Sequence, residues 1–586
     1  MQSNCFRRSF SIVSACCAVL VVLGTSPIQA AEFKPFLTIQ IAGPNALINI
    51  IEKVESIARL PQLTEFKTMA TPFKSMPGVN NAGSIGLAIS ANEESAIGVD
   101  VILSLPISNF ATFNIPGQEM YVMAMKMMAK PEGNKFTFNT PGGNFVGYQK
   151  QGFFLLATEG AAEFAATADH KTLFAEVSEF TLGAHANLEN ITEETVEKIM
   201  GTISMLLAMQ GMEGSADPEA LSTFRDQAAA AIEEMASMTW GITIDSRTLN
   251  CSGLTKTVAK EGTELIESFT KSKEALAKTK MGAFLSDTPQ TVLAWHYLHY
   301  FTHKEIEDNR MVWKLVSEGL LEGLYESMED GDADEKQLEK LAAAVEAFLN
   351  YIDEGIDILA RERLLDATCW LDSEGTLILA VGTDKTSEAM ALDEKFYSKL
   401  KRIFGNEFIT LVEGKVKRNY ETVAGYSLSC ISNVFSDLPA DIDVPEGVKE
   451  ILTNIPLSLF WAVKEGEALV YAIGLDFGKT EQALKAAMGR TQTPPRPQKQ
   501  IGFIAMKPLA EFIQSKILPF LPNMPGSEIT KMQTFFTPFT GMNASVRYVF
   551  EEEYPDASYF QAVQIPGEFV TAVLKMVVEA NQAAER

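Results

Sequence analysis

The chain has 586 residues and a formal net charge of −26, with 75 acidic and 49 basic side chains. A surface this acidic repels phosphate backbones, so we do not expect nucleic-acid binding. The length exceeds the size at which a single hydrophobic core stops growing, which predicts at least two domains. After residue 30 no stretch is apolar over the roughly 18 residues that a membrane-spanning helix needs, so no transmembrane span is expected.

The first thirty residues have the organisation of a secretory signal peptide. The pair Arg7-Arg8 precedes an apolar stretch, Cys16–Leu23, and small residues lead up to Ala30. We therefore expect cleavage after Ala30 and a protein located in the periplasm, the cell envelope or the medium. The arginine pair leaves open both the general and the twin-arginine export routes. Cys16 stands at the start of the apolar stretch, whereas a lipid-accepting cysteine should follow it, so lipidation is not expected.

Further along the chain, alternating apolar residues around polar turns predict five β-hairpins, at 85–105, 240–256, 367–381, 457–475 and 546–565. Four single strands, at 36–41, 180–186, 292–300 and 501–506, each run directly into a predicted helix. Two of these helices carry capping-box pairs at their starts, Asn190 with Glu193 and Thr302 with Glu305. Strand, helices, hairpin and helix therefore follow one another repeatedly.

This order of elements predicts the fold class. Additional β material at 136–158 and 408–430 lies between successive units, so the pattern reads as unit, insert, unit, repeated once. We expect an α+β fold of antiparallel sheets with helices packed on them, built as a tandem internal duplication. The expected halves are residues 31–280 and 281–586, the second containing a Pro-rich connector at 491–499.

The exported N-terminus, the repeated hairpin-and-helix units and the acidic, Phe- and Met-rich composition resemble large secreted proteins of unknown function from planctomycete-type bacteria. The resemblance covers most of the chain after residue 30 and rests on layout, with no diagnostic motif. It implies an extracytoplasmic location and an α+β fold. It implies no particular activity.

The most suggestive group of candidate ligands is His296, His299 and His303, three of only five histidines. On a helix this spacing would place three imidazoles on one face, as in a zinc or copper site. The repeat instead predicts a strand over 292–300, where His296 and His299 point to opposite faces. We therefore expect no metal site and no other cofactor here.

Two loops resemble known binding motifs without matching them. Asp330, Asp332 and Asp334 alternate like the ligands of a calcium loop, but the glycine and the final glutamate of that motif are missing. We interpret this segment as a solvated acidic loop, with calcium association as the alternative. The segment Gly474–Thr480 is one residue short of a phosphate-binding loop, so we interpret it as the start of a helix.

Sulfur-containing side chains form a third set of candidates. Methionines cluster at Met120, Met123, Met125, Met127 and Met128, and again at Met200, Met205, Met209 and Met212. Thioethers of this kind bind Cu(I) or line adaptable apolar grooves, but a buried helical face explains the first cluster as well, and we expect core packing. Cys251, Cys369 and Cys430 leave a disulfide possible, although buried free thiols are the preferred interpretation.

The sequence contains no complete catalytic motif and therefore identifies no catalytic residue. The sequence therefore favours an exported, non-enzymatic envelope protein that binds a protein partner or an apolar small molecule. The alternative is an exported hydrolase whose site is assembled from scattered carboxylates. A polar pocket with convergent carboxylates and a perturbed pKa would favour the alternative, and an apolar groove would favour binding. The oligomeric state is left open.

Overall fold

The structure is a computed structural model that describes residues 33–584, except for 199–228, 330–334, 406–411, 435–454, 491–498, 519–532 and several gaps of at most five residues. Several predicted features lie outside the described residues. These are the signal peptide, residues 491–498 of the connector, and the side chains Asp330, Asp332, Asp334, Met200, Met205, Met209 and Met212.

The fold is α+β, as predicted, and its strands pair antiparallel. The first ten strands are β1 (Pro35–Ile41), β2 (Ile85–Ala91), β3 (Val99–Leu105), β4 (Ala129–Glu132), β5 (Lys135–Thr140), β6 (Gly143–Lys150), β7 (Phe153–Thr158), β8 (Leu182–Asn187), β9 (Met235–Ile244) and β10 (Cys251–Ala259). The next ten are β11 (Thr291–Tyr300), β12 (Leu364–Asp372), β13 (Leu377–Gly382), β14 (Val416–Val423), β15 (Tyr426–Ile431), β16 (Ser458–Lys464), β17 (Ala468–Gly474), β18 (Lys499–Ala505), β19 (Arg547–Glu553) and β20 (Ser558–Ile565).

The helices that position the features discussed below are α1 (Pro44–Ala58), α2 (Glu119–Met128), α3 (Ala162–Thr167), α4 (His170–Leu173), α5 (Glu264–Leu276), α6 (His303–Glu329), α7 (Glu335–Glu362), α8 (Thr386–Phe404), α9 (Phe477–Met488), α10 (Met506–Phe512) and α11 (Gly567–Ala584). None of the helices in the described part of the chain is both long and apolar enough to cross a bilayer.

The described chain divides into two compact units. The first contains the residues up to Thr263 together with those from Phe560 onward, and the second runs from Glu264 to Tyr559. This division differs from the predicted halves 31–280 and 281–586 at two places. Helix α5 packs against β11 in the second unit, and the C-terminal helix α11 packs against α1 in the first. Sequence pattern places a helix after its preceding strand but does not determine which sheet the helix will cover.

Both units arrange their strands in the same order. In the first, hydrogen-bonded neighbours follow the order β4-β5-β6-β7-β3-β2-β1-β8-β9-β10. In the second the order is β14-β15-β16-β17-β13-β12-β11-β18-β19, which is the same order with ten added to each number. The strand that opens each series therefore lies inside its sheet, with its predicted hairpin on one side and the later strands on the other.

The hydrophobic cores lie where the sequence periodicity places them. In the first unit Ile102 and Leu155 are fully buried on one face of the sheet, while Phe110 stacks on Phe154, ring centroids 4.5 Å apart, in a second cluster. In the second unit Phe460 is fully buried in a cluster that also contains Ile378, Val470 and Leu484. These clusters provide most of the apolar burial that stabilises each unit.

The strands of all five predicted hairpins are present, and one of the two predicted helix caps is confirmed. Thr302 and Glu305 form the expected capping box, since each side chain accepts a hydrogen bond from the other's backbone amide. The other predicted pair includes Glu193, which lies outside the described residues. Asn190 donates to the carbonyl of Pro35, and Thr192 accepts a hydrogen bond from the Thr195 amide.

A buried histidine joins three elements of the first unit. Ser84 Oγ lies 2.8 Å from His170 Nε2, and Ser104 Oγ lies 2.7 Å from its Nδ1. The Phe153 ring stacks on the imidazole at a centroid distance of 3.8 Å. Burial lowers the pKa of His170 to about 4, so the ring is neutral at pH 7.

This environment predicts an acid-sensitive first unit. Because the folded-state pKa lies below the ordinary value of 6.5, the stabilisation is complete above pH 6.5 and is lost as the pH falls through about 4. Replacing His170 by Gln should lower stability at pH 7 by about 1–3 kcal/mol and reduce the fall in Tm between pH 7 and pH 4. Calorimetry across this range measures both effects. An unchanged pH dependence in His170→Gln would contradict the assignment; His303→Gln, at a side chain 67 % exposed, is the control.

Candidate functional site

The second unit contains an open pocket of about 880 Å³ at one end of its sheet. Its walls come from the segment after α5, the end of α7, the loop between β13 and α8, two hairpin turns and the end of α9. Polar and charged side chains line it together with apolar ones, among them Lys278, Thr279, Met281, Phe284, Arg361, Glu362, Leu364, Asp366, Thr383, Asp384, Lys385, Tyr426, Lys464, Glu467, Met488 and Arg490.

One wall is fixed by the buried carboxylate of Asp366, at the start of β12. His296 on β11 donates to its Oδ1 from Nε2 at 2.9 Å, and the hydroxyl of Thr279 donates to its Oδ2. Thr279 also accepts a hydrogen bond from the Met281 amide at 3.0 Å. The carboxylate therefore ties the segment that follows α5 to the sheet and satisfies its own buried charge.

A pair of carboxyl groups forms a second wall. Glu362, the last residue of α7, accepts hydrogen bonds from the Thr383 hydroxyl and, at 3.2 Å, from the Lys385 amide. The carboxyl group of Asp384 lies nearby. Burial raises the pKa of Glu362 above its ordinary value, and the neighbouring Asp384 adds to this shift. Both causes disfavour the charged form of Glu362.

Five cationic side chains reach the same pocket. Arg361 pairs with Glu388, and Lys464 lies 2.6 Å from Glu467. Lys385 lies 3.7 Å from the exposed carboxylate of Asp384. The remaining two cations are Lys278 and Arg490.

Lys278 and Arg490 are held in different ways. Lys278 is exposed in the turn that ends α5. The guanidinium of Arg490 donates from Nη1 to the carbonyl oxygens of Leu285 at 2.7 Å and Phe284 at 3.5 Å. Burial lowers the pKa of Arg490, although an arginine stays protonated in proteins.

An aromatic pair closes the base of the pocket. Tyr426 is buried and its ring meets that of Phe284 edge-on, with centroids 6.2 Å apart. Burial and the nearby Glu467 raise the pKa of Tyr426 to about 12, so the phenol keeps its proton at neutral pH. The pocket thus combines a small apolar base with a charged rim that is rich in hydrogen-bond donors.

The three candidate histidines lie on and just after β11 but contact different partners. His296 binds Asp366, whereas His299 lies between Glu305 at 3.1 Å and the Tyr554 hydroxyl at 2.9 Å. His303 binds the carboxylate of Glu264. The strand geometry separates the rings, and only His296 supports a pocket residue. Within the described ranges no three His, Cys, Asp or Glu side chains are grouped as metal ligands.

The other motifs have structural roles or lie elsewhere. Asp476 caps α9 by accepting a hydrogen bond from the Lys479 amide at 3.0 Å, so the Gly474–Thr480 segment is the start of a helix, as predicted. Cys251, Cys369 and Cys430 are free thiols. The core packing expected for the first methionine cluster is wrong. Met120, Met123 and Met127 on α2 are 82 %, 63 % and 77 % exposed, while the opposite face of that helix is anchored by buried Val122.

Sequence reasoning did not identify Glu362, Asp384 or Arg490 as members of a site. They come from a helix end, a loop and the end of another helix, separated by up to 128 residues (490 − 362). At each of these positions the sequence pattern indicates only a turn or a helix end. Glu362 is followed by Arg363, which adopts a positive φ of 57°, and the chain turns there directly from α7 into β12.

Comparison of the chain with protein-family models, with curated proteins and with solved structures finds no match. The resemblance to secreted planctomycete-type proteins stays a prediction.

The raised pKa of Glu362 predicts a pH-dependent effect of Glu362→Gln. A neutral Glu362 contributes stability that is fully present below its ordinary pKa of 4.5 and is lost as the pH rises through the folded-state value. Gln remains neutral and can keep the hydrogen bonds from Thr383 and Lys385. The difference in Tm, variant minus wild type, should therefore rise by a few degrees between pH 4 and pH 7.5.

The matched control is Glu388→Gln, which removes one negative charge from the exposed partner of Arg361 near the same pocket. Differential scanning fluorimetry over the pH range provides the measurement. A difference that falls with rising pH in Glu362→Gln would show that Glu362 is a stabilising carboxylate instead of a protonated one.

Proposed function

We propose that this protein is an exported binding protein whose pocket in the second unit holds a small polar ligand with an anionic group. The observation that carries the proposal is the lining: five cationic side chains and four acidic ones meet in one pocket of a chain whose net charge is −26. A lining in which cations outnumber carboxyl groups opposes the overall field of an acidic protein and favours an anion locally. The signal-peptide pattern of residues 1–30 supports export.

The carboxyl groups of the pocket are engaged by hydrogen bonds from the protein, which further supports an anionic ligand. Asp366 uses both oxygens on protein donors, and Glu362 is engaged by Thr383 and Lys385. These groups shape the walls, so the chemistry left for a ligand comes mainly from Lys278 and the exposed ends of the ion pairs. Ammonium and guanidinium groups bind carboxylate and sulfate oxygens through charge-assisted hydrogen bonds.

The pocket also limits the class of ligand. Its charged rim disfavours the apolar small molecule considered from the sequence, since desolvating the lysines and carboxylates would go uncompensated. The Tyr426 and Phe284 rings provide a small apolar patch of the kind that supports the body of a sugar ring. An acidic saccharide, with hydroxyl groups and a carboxylate or sulfate, fits these groups best.

An exported hydrolase is the second candidate, and the raised pKa of Glu362 favours it specifically. A carboxyl group whose pKa is raised above its ordinary value is better suited to act as a general acid. In this alternative Glu362 would protonate a leaving group in the same pocket. Binding is preferred because Glu362 is occupied by two protein donors.

Tandem duplication belongs to the same proposal. The matching strand order of the two units supports it, because nine consecutive strands occupy corresponding positions.

The proposal predicts that D-glucuronate binds and that D-glucose, its uncharged counterpart, does not bind at the same concentration. Lys278→Gln and Arg490→Gln should each weaken glucuronate binding by about tenfold, because each removes a charge-assisted hydrogen bond. Isothermal titration calorimetry measures the affinities, and raising the salt concentration should weaken binding. Lys399→Gln, a change on α8 outside the pocket, is the charge-matched control.

Equal binding of glucose and glucuronate, or an equal loss in the Lys399 control, would contradict the anion-binding pocket. Cleavage of a glucuronide that stops in Glu362→Gln while binding persists would instead favour the hydrolase.

A further inference from the structure

Helix α2 presents a surface in the first unit that neither the pocket nor the core explains. Met120, Met123 and Met127 are 82 %, 63 % and 77 % exposed, and Met128 is 46 % exposed. At 3.6 residues per turn, the first three project within an arc of about 60°. On the other side of the helix Val122 is buried and Met125 packs against the phenylalanine cluster of the unit.

We propose that Met120, Met123 and Met127 form a binding site for a soft monovalent metal ion, Cu(I) or its analogue Ag(I). Thioether sulfur is a soft ligand that selects such ions over Zn²⁺, Mg²⁺ or Ca²⁺. Side chains three and four positions apart on a helix are neighbours, with Cβ atoms about 5–6 Å apart, so flexible methionine arms converge over the helix surface. The site lies on one helix and requires no movement of other elements.

The composition of the face distinguishes a metal site from a simple hydrophobic contact. Among the side chains of α2 that the structure describes, every exposed large apolar one is a methionine. A surface that only buried apolar area against a partner would be served equally well by leucine. The anchoring of the helix through Val122, and through Lys126, which donates to the carbonyl of Ala111 at 2.9 Å, holds the thioethers outward.

The test uses the full-length protein labelled with ¹³C at the methionine methyl groups, titrated with Ag(I) and, anaerobically with ascorbate, with Cu(I). The site predicts that the methyl signals of Met120, Met123 and Met127 shift together and saturate near one equivalent. Observing individual methyl groups separates this event from metal capture by Cys251, Cys369 or Cys430. Signals are assigned by single Met→Leu variants.

The decisive variant is the triple change Met120→Leu, Met123→Leu and Met127→Leu, which keeps the apolar surface and helix propensity but removes the sulfur atoms. It should weaken Ag(I) binding at this face by about tenfold or more. Met311→Leu, at a methionine of α6 that is 59 % exposed, is the matched control and should leave the three shifts unchanged.

Three results would overturn the proposal. These are no methyl shift at one equivalent, shifts spread evenly over the methionines, or equal Ag(I) affinity in the triple leucine variant. Binding of a protein or of lipid vesicles that persists in the triple leucine variant, without any metal response in the wild type, would identify the face as a hydrophobic contact surface instead.

Discussion

The buried carboxylate of Asp366 is the constraint on which the candidate site depends. It lies at the first residues of β12 and accepts hydrogen bonds from His296 on the neighbouring strand and from Thr279 on the segment after α5. A buried carboxylate is stable only with such partners, so the three residues hold one another in place. Because Thr279 adjoins Lys278, the same interaction positions a cation at the mouth of the pocket.

The charges that line the pocket determine which ligand it can bind. The protein as a whole is strongly acidic, yet five cationic side chains and four acidic ones line the pocket, and the pKa of one of these acids, Glu362, is raised. A proton on Glu362 reduces the negative charge that opposes an anion. Arg361 pairs with Glu388 and Lys464 pairs with Glu467, and these ion pairs reduce the repulsion among the cations of the pocket. The pocket is therefore able to accept an anion despite the field of the chain.

Local pattern predicted the strands and hairpins well because alternation and turn residues act over a few positions. It predicted that β11 is a strand and that His296 and His299 point apart, and it predicted the Thr302–Glu305 cap. It could not predict that His296 binds a carboxylate 70 residues away, or that Gln500 uses its side-chain amide to bind both backbone groups of Leu298. Those contacts depend on the order of strands in the sheet.

The methionine cluster on α2 shows that local pattern also does not determine which face of a helix is buried. The helical spacing of Met120, Met123 and Met127 places them on one face, but periodicity does not say whether that face turns toward the core. Val122 competes for the buried position and occupies it. The pocket was missed for a related reason: each of its residues reads locally as a helix end or a turn, and only the folded sheet brings them together.

The most direct test of the central claim is a crystal structure of the full protein grown with D-glucuronate. We expect the ligand to lie in the pocket of the second unit, with its carboxylate bound by Lys278 or Arg490 and its ring near Tyr426. Glucuronate bound at another place, with the pocket empty or filled by side chains of the protein itself, would contradict it.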